Sequence, residues 1–413
     1  MEFDSKSKKS VNNLEMPNGW KKKNLRSLAK FFSGGTPLTT KQEFYNGDIP
    51  FIKSGEIYDD KTAQFISEEG LNSSSAKMIE KGDLLFALYG ANSGEVAISK
   101  MSGAINQAIL CIKHNVHCDT IFLYNYLLIQ KERIIRTYLQ GGQGNLSAEI
   151  VKSLSILLPP VPEQKAIAKV LGSMDEAINA NNQLIAQKEL RKKWLMQNLL
   201  TGKKRLKGFI GEWKEVKLGK VFEEIKSVND GGDSHSVMTI SSKLGLISQK
   251  DKFDRVIAGE SLKKYTQLRR NDFAYNKGNS KTYPMGCIYQ LEEQESALVP
   301  FVYICFRPTE AVDAQFYKHW FLAYGLDRQL KRIITSGARG DGLLNVNKGD
   351  FFKLKTVYPN KDEQTAIAQI LQAADKELNL LKAKTELLKE QKKGMMQVLL
   401  TGKKRLNLNI DSL

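Results

Sequence analysis

A chain of 413 residues exceeds one ordinary domain and suits two or three. With 41% hydrophobic residues it can build sizeable cores, and a net charge of +17 with a pI near 9.4 calls for an anionic partner: nucleic acid, an anionic membrane or an acidic protein. No apolar run approaches the ~18 residues of a spanning helix, residues 1–13 have no apolar core of a secretory signal, and four cysteines do not make a disulfide framework, so the expectation is a cytoplasmic protein with a lean towards nucleic acid and away from membranes.

In chain order, residues 20–160 read as a mixed block. Short β-rich runs such as Ile105–Ile112 lie among Gly-containing turns, and Ile121–Leu139 reads as a helix. Residues 163–206 then form a segment that recurs at 363–406, at a constant offset of 200 and without a gap. Roughly twenty of its forty-four positions are identical. Between the copies, residues 213–358 form a second mixed block with a β-rich run at Leu298–Phe306 and a helical stretch at Ala314–Ile334. The similarity reaches upstream through the pairs Asn145/Asn345 and Leu154/Leu354. Asn18-Gly19-Trp20-Lys21 is echoed by Gly211-Glu212-Trp213-Lys214, with Leu25 matching Leu218. The two blocks otherwise barely resemble each other. The chain divides into residues 1–160, 161–206, 207–360 and 361–413.

The shared segment predicts a long helix. Ile167, Leu171, Met174, Ile178, Asn181, Ile185, Lys188, Lys192, Leu195 and Leu199 step alternately by four and three, and the second copy repeats the seam from Ile367 through Leu371, Ala374, Leu378, Leu381, Thr385, Leu388, Lys392 and Met395 to Leu399. This is the heptad pattern of a two-helix coiled coil, polar in places, and it is favoured over an amphipathic helix packed on its own domain. Pro159, Pro160 and Pro162 punctuate the start of the first copy, Asn360 or Asp362 can cap the second, and Gly202 and Gly402 stand where a helix end takes a left-handed residue. About 38 residues make a rod of roughly 55 Å. Lys203, Lys204 and Arg205, with their copies at 403–405, suit either a helix C-terminus or phosphate contact.

Polar, Gly-containing loops supply the groups that read base edges and phosphates. The candidate contacts are Ser33, Gly35, Thr36, Lys53, Tyr89, Asn92, Gln143 and Asn145 in the first block, Lys277, Asn279, Lys281, Arg339 and Asn345 in the second, and Lys203, Lys204 and Arg205. Each loop alone reads as an ordinary surface turn; they carry weight as a set.

No adenine-methyltransferase tetrapeptide and no phosphate-binding loop of the G-x-x-x-x-G-K-[ST] kind occurs. Glu163-Gln164-Lys165 has the form of part of a nuclease site, but Thr365 replaces the lysine in the second copy. Cys111, His114, His117 and Cys118 are zinc-type ligands within eight residues. Against zinc, Cys111 fits the buried alternation of a strand, adjacent His117 and Cys118 converge poorly, and the second half has no counterpart. No catalytic residue, metal or cofactor is expected.

With these residues in view the chain resembles the specificity subunits of type I restriction-modification enzymes. The resemblance rests on Ser33-Gly34-Gly35-Thr36-Pro37, Tyr45 with Gly47 to Phe51, Gly70 to Ala76, Tyr89-Gly90-Ala91, Asn106-Gln107-Ala108 and Asn145-Leu146-Ser147. It continues through Leu158-Pro159-Pro160 with Glu163-Gln164, and Leu200-Thr201-Gly202. The second block is similar to a different recognition-domain subtype, keeping Tyr275-Asn276-Lys277 and Asn345, with Asn360 in place of the second proline. The resemblance implies an α+β fold: two globular target-recognition domains joined by two long antiparallel coiled-coil helices, an internal repeat with pseudo-twofold symmetry. It implies a subunit without catalysis that binds a split double-stranded DNA site, its helices acting as a ruler and docking two methyltransferase subunits and, through the complex, a motor-nuclease subunit. The alternatives are a bifunctional nuclease or methyltransferase with two DNA-binding modules, and a coiled-coil structural adaptor.

Overall fold

The computed structural model describes residues 16–139, 145–229, 236–241, 244–253, 259–278, 283–323, 325–334 and 344–406. The chain forms two compact units. One runs to Asn182 and resumes at Lys384; the other runs from Gln183 to Ala383. Each holds one mixed block and half of each long helix.

The first unit contains β1 (Lys21–Asn24), β2 (Ala29–Ser33), β3 (Ile49–Ile52), β4 (Phe65–Ile66), β5 (Lys77–Ile79), β6 (Leu84–Ala87), β7 (Val96–Ile98), β8 (Gly103–Ile105), β9 (Ile109–His114) and β10 (Ser155–Leu158). Helices α1 (Glu68–Asn72), α2 (Thr120–Tyr138) and α3 (Ala148–Ser153) accompany them, and the long helix α4 (Val161–Leu199) follows. Two four-stranded sheets, in the orders β2-β9-β6-β7 and β4-β3-β8-β5, stand beside the antiparallel pair β1-β10. Alternation along the central strands divides the side chains between two cores. Leu84, Phe86, Leu110 and Ile112 pack with Phe122 and Leu123 of α2, with Ile167, Leu171 and Leu399 of the long helices and with Leu400 just beyond them, whereas Leu85, Ala87, Ile109 and Cys111 pack with Ile52 and Ile105 of the other sheet.

The second unit contains β11 (Lys214–Lys217), β12 (Phe222–Glu224), β13 (Ser236–Ser241), β14 (Gly245–Ser248), β15 (Thr266–Arg269), β16 (Phe273–Asn276), β17 (Cys287–Gln290), β18 (Ser296–Val299), β19 (Ile304–Pro308) and β20 (Lys355–Tyr358). Its helices are α5 (Leu218–Val221), α6 (Gln249–Phe253), α7 (Ala314–Leu322), α8 (Asp327–Ile333), α9 (Lys348–Lys353) and the long α10 (Lys361–Leu399). The sheets run β12-β19-β16-β17 and β14-β13-β18-β15, with β11 paired to β20. This is the strand order of the first unit, reached by a block with little sequence likeness to it. The matches read from sequence are framework contacts: Leu25 N–H donates to Leu154 O at 2.9 Å, and Leu218 N–H to Leu354 O at 2.7 Å.

Three expectations need correction. Ile105–Ile112 is not one strand, because Asn106 Oδ1 accepts from Ala108 N–H at 3.2 Å and the turn moves the chain from β8 in one sheet to β9 in the other. Leu298–Phe306 divides in the same way between β18 and β19, at a turn where Tyr303 N–H donates to Pro300 O at 3.1 Å. Ala314–Ile334 is two helices: a Cβ at Gly325 would stand 2.5 Å from the Trp320 ring, so the chain passes that indole only where a side chain is missing.

Both long helices are unbroken over 39 residues. In the first unit Asn181 Nδ2 donates to Thr385 Oγ1 at 2.6 Å and Lys392 Nζ pairs with both Asp175 oxygens at 2.6 and 2.7 Å. In the second, Lys192 pairs with Asp375 and Lys188 with Glu377. Partner numbers rise on one helix as they fall on the other, so the facing halves in each unit run antiparallel. The expected seam positions are buried or half-buried, except that exposed Met395 yields to buried Met396. A straight 3.6-residue helix drifts from the 3.5-residue repeat in this direction. Asn360 rather than Asp362 caps the second helix, its Oδ1 accepting from Glu363 N–H at 2.8 Å. Gly202 and Gly402 take φ of +70° and +73°, a region other residues rarely adopt. Among the described residues no helix is long and apolar enough to cross a membrane.

Candidate nucleic-acid interface

In the first unit the loops singled out by sequence come together at the ends of both sheets. Gly34 and Gly35 leave β2 where side chains would not fit: a Cβ would lie 1.7 Å from Ile105 O at Gly34 and 2.7 Å from Ser75 Cβ at Gly35. The close approach carries Thr36 to Gln107, where Thr36 Oγ1 donates to Gln107 Oε1 at 2.7 Å on the surface. Next to it, Asn106 N–H donates to Ile52 O at 3.3 Å, which places Lys53 beside this pair. Gly55, two residues on, would put a Cβ 3.6 Å from Asn92 Nδ2. Asn92 closes the turn after Tyr89, and Gly90 N–H of that turn points at Asn145 Oδ1, 3.4 Å away. Leu146 N–H donates to Leu88 O at 2.8 Å and fixes this last loop to the end of β6. Thr36, Lys53, Tyr89 and Asn145 with half-buried Ser33 and Asn92 therefore share one polar surface, to which the structure adds Gln107, whereas Gly35 is buried against Ser75 and serves the turn rather than the surface. Gln107 stands in the motif Asn106-Gln107-Ala108 but is not among the contacts expected from sequence.

In the second unit the same framework holds different groups. Leu344 N–H donates to Lys277 O at 2.9 Å, the counterpart of the Leu146–Leu88 bond, and brings exposed Asn345 beside Lys277. Asn276 Oδ1 accepts from Gly278 N–H at 2.9 Å and folds the loop back after β16. Gln143, Asn279, Lys281 and Arg339 lie outside the described residues.

The three basic residues after α4 are not equivalent. Arg205 forks onto Glu363, with Nε and a terminal nitrogen 2.5 and 2.6 Å from its two oxygens, and Trp213 Nε1 donates to the same carboxylate at 3.0 Å. The Glu363 side chain is fully buried. The first unit repeats this clasp: Arg405 forks onto buried Glu163 at 3.0 and 2.7 Å, and Trp20 Nε1 donates at 3.2 Å. Lys204 lies over the exposed Trp194 ring, 4.7 Å from its centre, and its N–H donates to Asn198 O at 3.2 Å. Lys203 is exposed and lines a groove of about 840 Å³ with Lys193, Met196, Leu200 and Trp320.

The remaining chemical candidates resolve into framework. Glu163 belongs to the clasp just described. Gln164, fully buried, accepts from Asp119 N–H at 2.9 Å and donates to His117 O and Pro159 O; Gln364 repeats this with Asp313 N–H at 2.8 Å and Pro359 O. Each glutamine thus locks a long helix to the N-cap of α2 or α7. Cys111 and Cys118 lie in different cores, and burial pushes both thiols up to about 12, well away from thiolate chemistry. Among the described residues no three His, Cys, Asp or Glu side chains are arranged to hold a metal ion. Six residues beyond the caps Asp119 and Asp313, each unit buries an incompletely bonded polar side chain: among the described residues Asn125 Oδ1 and both nitrogens of His319 have no hydrogen-bond partner. His319 Nδ1 lies 3.8 Å from Asp375, and burial, despite that carboxylate, holds its pKa below the ordinary value.

Comparison with known proteins agrees with this arrangement. Residues 17–189 match the family model of the type I restriction modification DNA specificity domain. The chain is 24% identical to the type I restriction enzyme MjaVIII specificity subunit of Methanocaldococcus jannaschii, over 97% of each chain. It is 26% identical to the EcoR124I/EcoR124II specificity subunit of Escherichia coli, over 41% of this chain and 45% of that one. Among solved structures, the S subunit of a type I system from M. genitalium covers 94% of this chain and 98% of its own, with a TM-score of 0.57 at 16% identity. A chain from a structural study of assembly and conformational transition in the type I system aligns with a TM-score of 0.56 at 15% identity, over 94% and 99%. Residues 17–189 thus carry the type I restriction modification DNA specificity domain, and along nearly its whole length the chain is similar to the specificity subunits of type I restriction enzymes.

Proposed function

We propose that each unit reads one part of a split double-stranded DNA site, and that the subunit itself carries out no chemistry. The observation that carries this reading is the pairing of one framework with two loop sets. Both units have the same strand order, the same Trp–Glu–Arg clasp and the same glutamine lock. Apart from the matching pair Asn145 and Asn345, they differ where Thr36, Lys53, Tyr89 and Asn92 stand in one and Lys277 in the other. Lys and Arg anchor to phosphates while loop side chains select bases. The long helices dock two methyltransferase subunits and, through them, a motor-nuclease subunit, and the complex works in the cytoplasm. The test replaces residues 213–358 with the equivalent block of a relative and maps methylated adenines. One half of the recognised site should change and the other persist; a change in both halves refutes separate readers. Purified alone with Mg²⁺ and S-adenosylmethionine, the chain should neither cut nor methylate plasmid DNA.

A further inference from the structure

The segment bearing Lys53 and the turn bearing Asn92 come from different sheets of the first unit, yet a polar brace ties them. The Lys53 segment is organised around Glu56. Its carboxylate accepts from Lys53 N–H at 3.1 Å, from Thr62 Oγ1 at 3.1 Å and from Ala63 N–H at 3.2 Å, making residues 53–63 one small body. From this body Tyr58 reaches out, and its hydroxyl donates to Glu95 Oε2 at 2.6 Å. Glu95 closes the Asn92 turn, its N–H donating to Asn92 O at 2.9 Å, and its other oxygen pairs with Lys131 of α2. The turn itself rests on α2, since a Cβ at Gly94 would lie 3.3 Å from Ile135 and 3.5 Å from Lys131. Burial pushes the Glu95 carboxyl up, but the bonds from Lys131 and Tyr58 outweigh it and hold the group below its ordinary value, so it is a charged acceptor at neutral pH.

Among the described residues the brace occurs in the first unit. Lys131 stands twelve residues beyond the cap Asp119, on a helix that continues to Tyr138. Twelve residues beyond Asp313 stands Gly325, where the second unit's helix has already ended at Leu322. The second unit thus has no helical lysine in this place.

We propose that Glu95, held by Lys131, is a positioning residue for base recognition: through Tyr58 it fixes the distance between the Lys53 segment and the Tyr89–Asn92 turn, and so sets discrimination in the half-site read by the first unit. The proposal rests on the reading that these two loops touch DNA. The role fits chemistry as well as geometry, because a charge-assisted hydrogen bond fixes a separation more firmly than surface packing does.

The test uses the full chain assembled with its methyltransferase subunits and compares methylation of the cognate site with sites altered at one base in either half. Tyr58→Phe removes one hydroxyl and leaves the ring, so the melting temperature should stay within ~2 °C. The preference for cognate over altered sites should fall about five- to tenfold in the first unit's half-site, less than the full worth of a charge-assisted hydrogen bond. It should be unchanged in the other half. Lys131→Met, which frees Glu95 from α2, should act in the same direction. Preferences unchanged in both halves, or lowered equally in both, overturn the proposal. Lys53→Ala and Asn92→Ala separate the two layers of inference. If neither alters DNA affinity or preference, the loop assignment itself fails; if they do and Tyr58→Phe does not, the brace alone is refuted.

Discussion

Arg205 offers a sharp test, because sequence allowed it either of two roles. As a phosphate contact its loss would weaken DNA binding and leave the fold alone. As a clasp its loss strands the Glu363 carboxylate, which is fully buried and, among the described residues, keeps only the 3.0 Å bond from Trp213. Removing one partner of a buried ion pair costs about 3–5 kcal/mol. Arg205 is itself 27% exposed, so water can enter the space it vacates, and the lower figure of about 2–3 kcal/mol is appropriate for Arg205→Ala. At roughly 2–4 °C per kcal/mol for a unit of this size, melting of the second unit should fall by about 5–10 °C. The double variant Arg205→Ala/Glu363→Gln removes the stranded charge and should regain about half of that loss, since an uncharged amide can keep the Trp213 bond. Hydrogen exchange resolved by unit is the assay, with first-unit amides as the internal control. A single variant as stable as the parent, or a double variant no better than the single, refutes the clasp. The salt dependence of DNA binding should keep its slope in Arg205→Ala, because a side chain committed to Glu363 releases no counterion from phosphate.

Three further outcomes are expected. In Lys203→Ala/Lys204→Ala, phosphate contact would weaken binding similarly on all sequences and make the salt slope shallower by up to about two units, whereas lower melting with an unchanged slope would assign the pair to the helix end; Lys204, already over Trp194, is expected to follow the second pattern. Replacing the polar seam pair by Asn181→Leu/Thr385→Ile gives the first unit the residue types that the second has at the equivalent positions, Leu381 and Ile185, and should be neutral or raise stability by about 1 kcal/mol; a clear loss on thermal melting would show the polar pair to be required. His319 is neutral in the fold, its pKa pushed down to about 4 by burial. An imidazole whose folded pKa lies below its unfolded value near 6.5 contributes stability that is present above 6.5 and lost as pH falls towards 4, here about 2–3 kcal/mol, so His319→Phe should flatten second-unit stability across that window, and an unchanged profile would remove this assignment.

The long helices were legible because the signal repeats: the same apolar steps at an offset of 200 define the seam, and Gly202 and Gly402 mark both ends. Asn360 could be seen as a cap because its side chain needs only local backbone. The strands were harder. Ile105–Ile112 is apolar on either side of Asn106-Gln107 because both of its halves are buried, and the turn there that sends them to different sheets includes the bond from Ala108 N–H to Asn106 Oδ1. The helix expected over Ala314–Ile334 breaks where the Trp320 ring meets Gly325, a clash invisible to periodicity. In the candidate site the loops were legible as polar and Gly-rich, but their convergence was not, since Thr36 meets Gln107 and Gly90 meets Asn145 only through tertiary packing. Glu163-Gln164-Lys165 has the form of part of a nuclease site; the recurrence of its first two residues alone, as Glu363-Gln364, is the sign in the sequence that both serve the framework.

That recurrence also explains how such different blocks can share one fold. Several buried or half-buried side chains that the two copies have in common bond to the framework. Glu163 and Glu363 hold a tryptophan and an arginine, Gln164 and Gln364 hold a helix cap and a backbone carbonyl, and Lys192 and Lys392 hold an aspartate on the facing helix. Among the described residues none of these bonds reaches Thr36, Lys53, Tyr89 or Asn92, nor Lys277 or Asn345. Substitutions in the loops therefore leave every anchor of the framework in place, and stability places little constraint on which groups the loops present. Glu95 is the exception in the first unit, because it bonds a loop to α2 directly. A change in specificity that kept Glu95 would have to work within the loop spacing it sets, while a change that removed it would free that spacing together with the bases it selects.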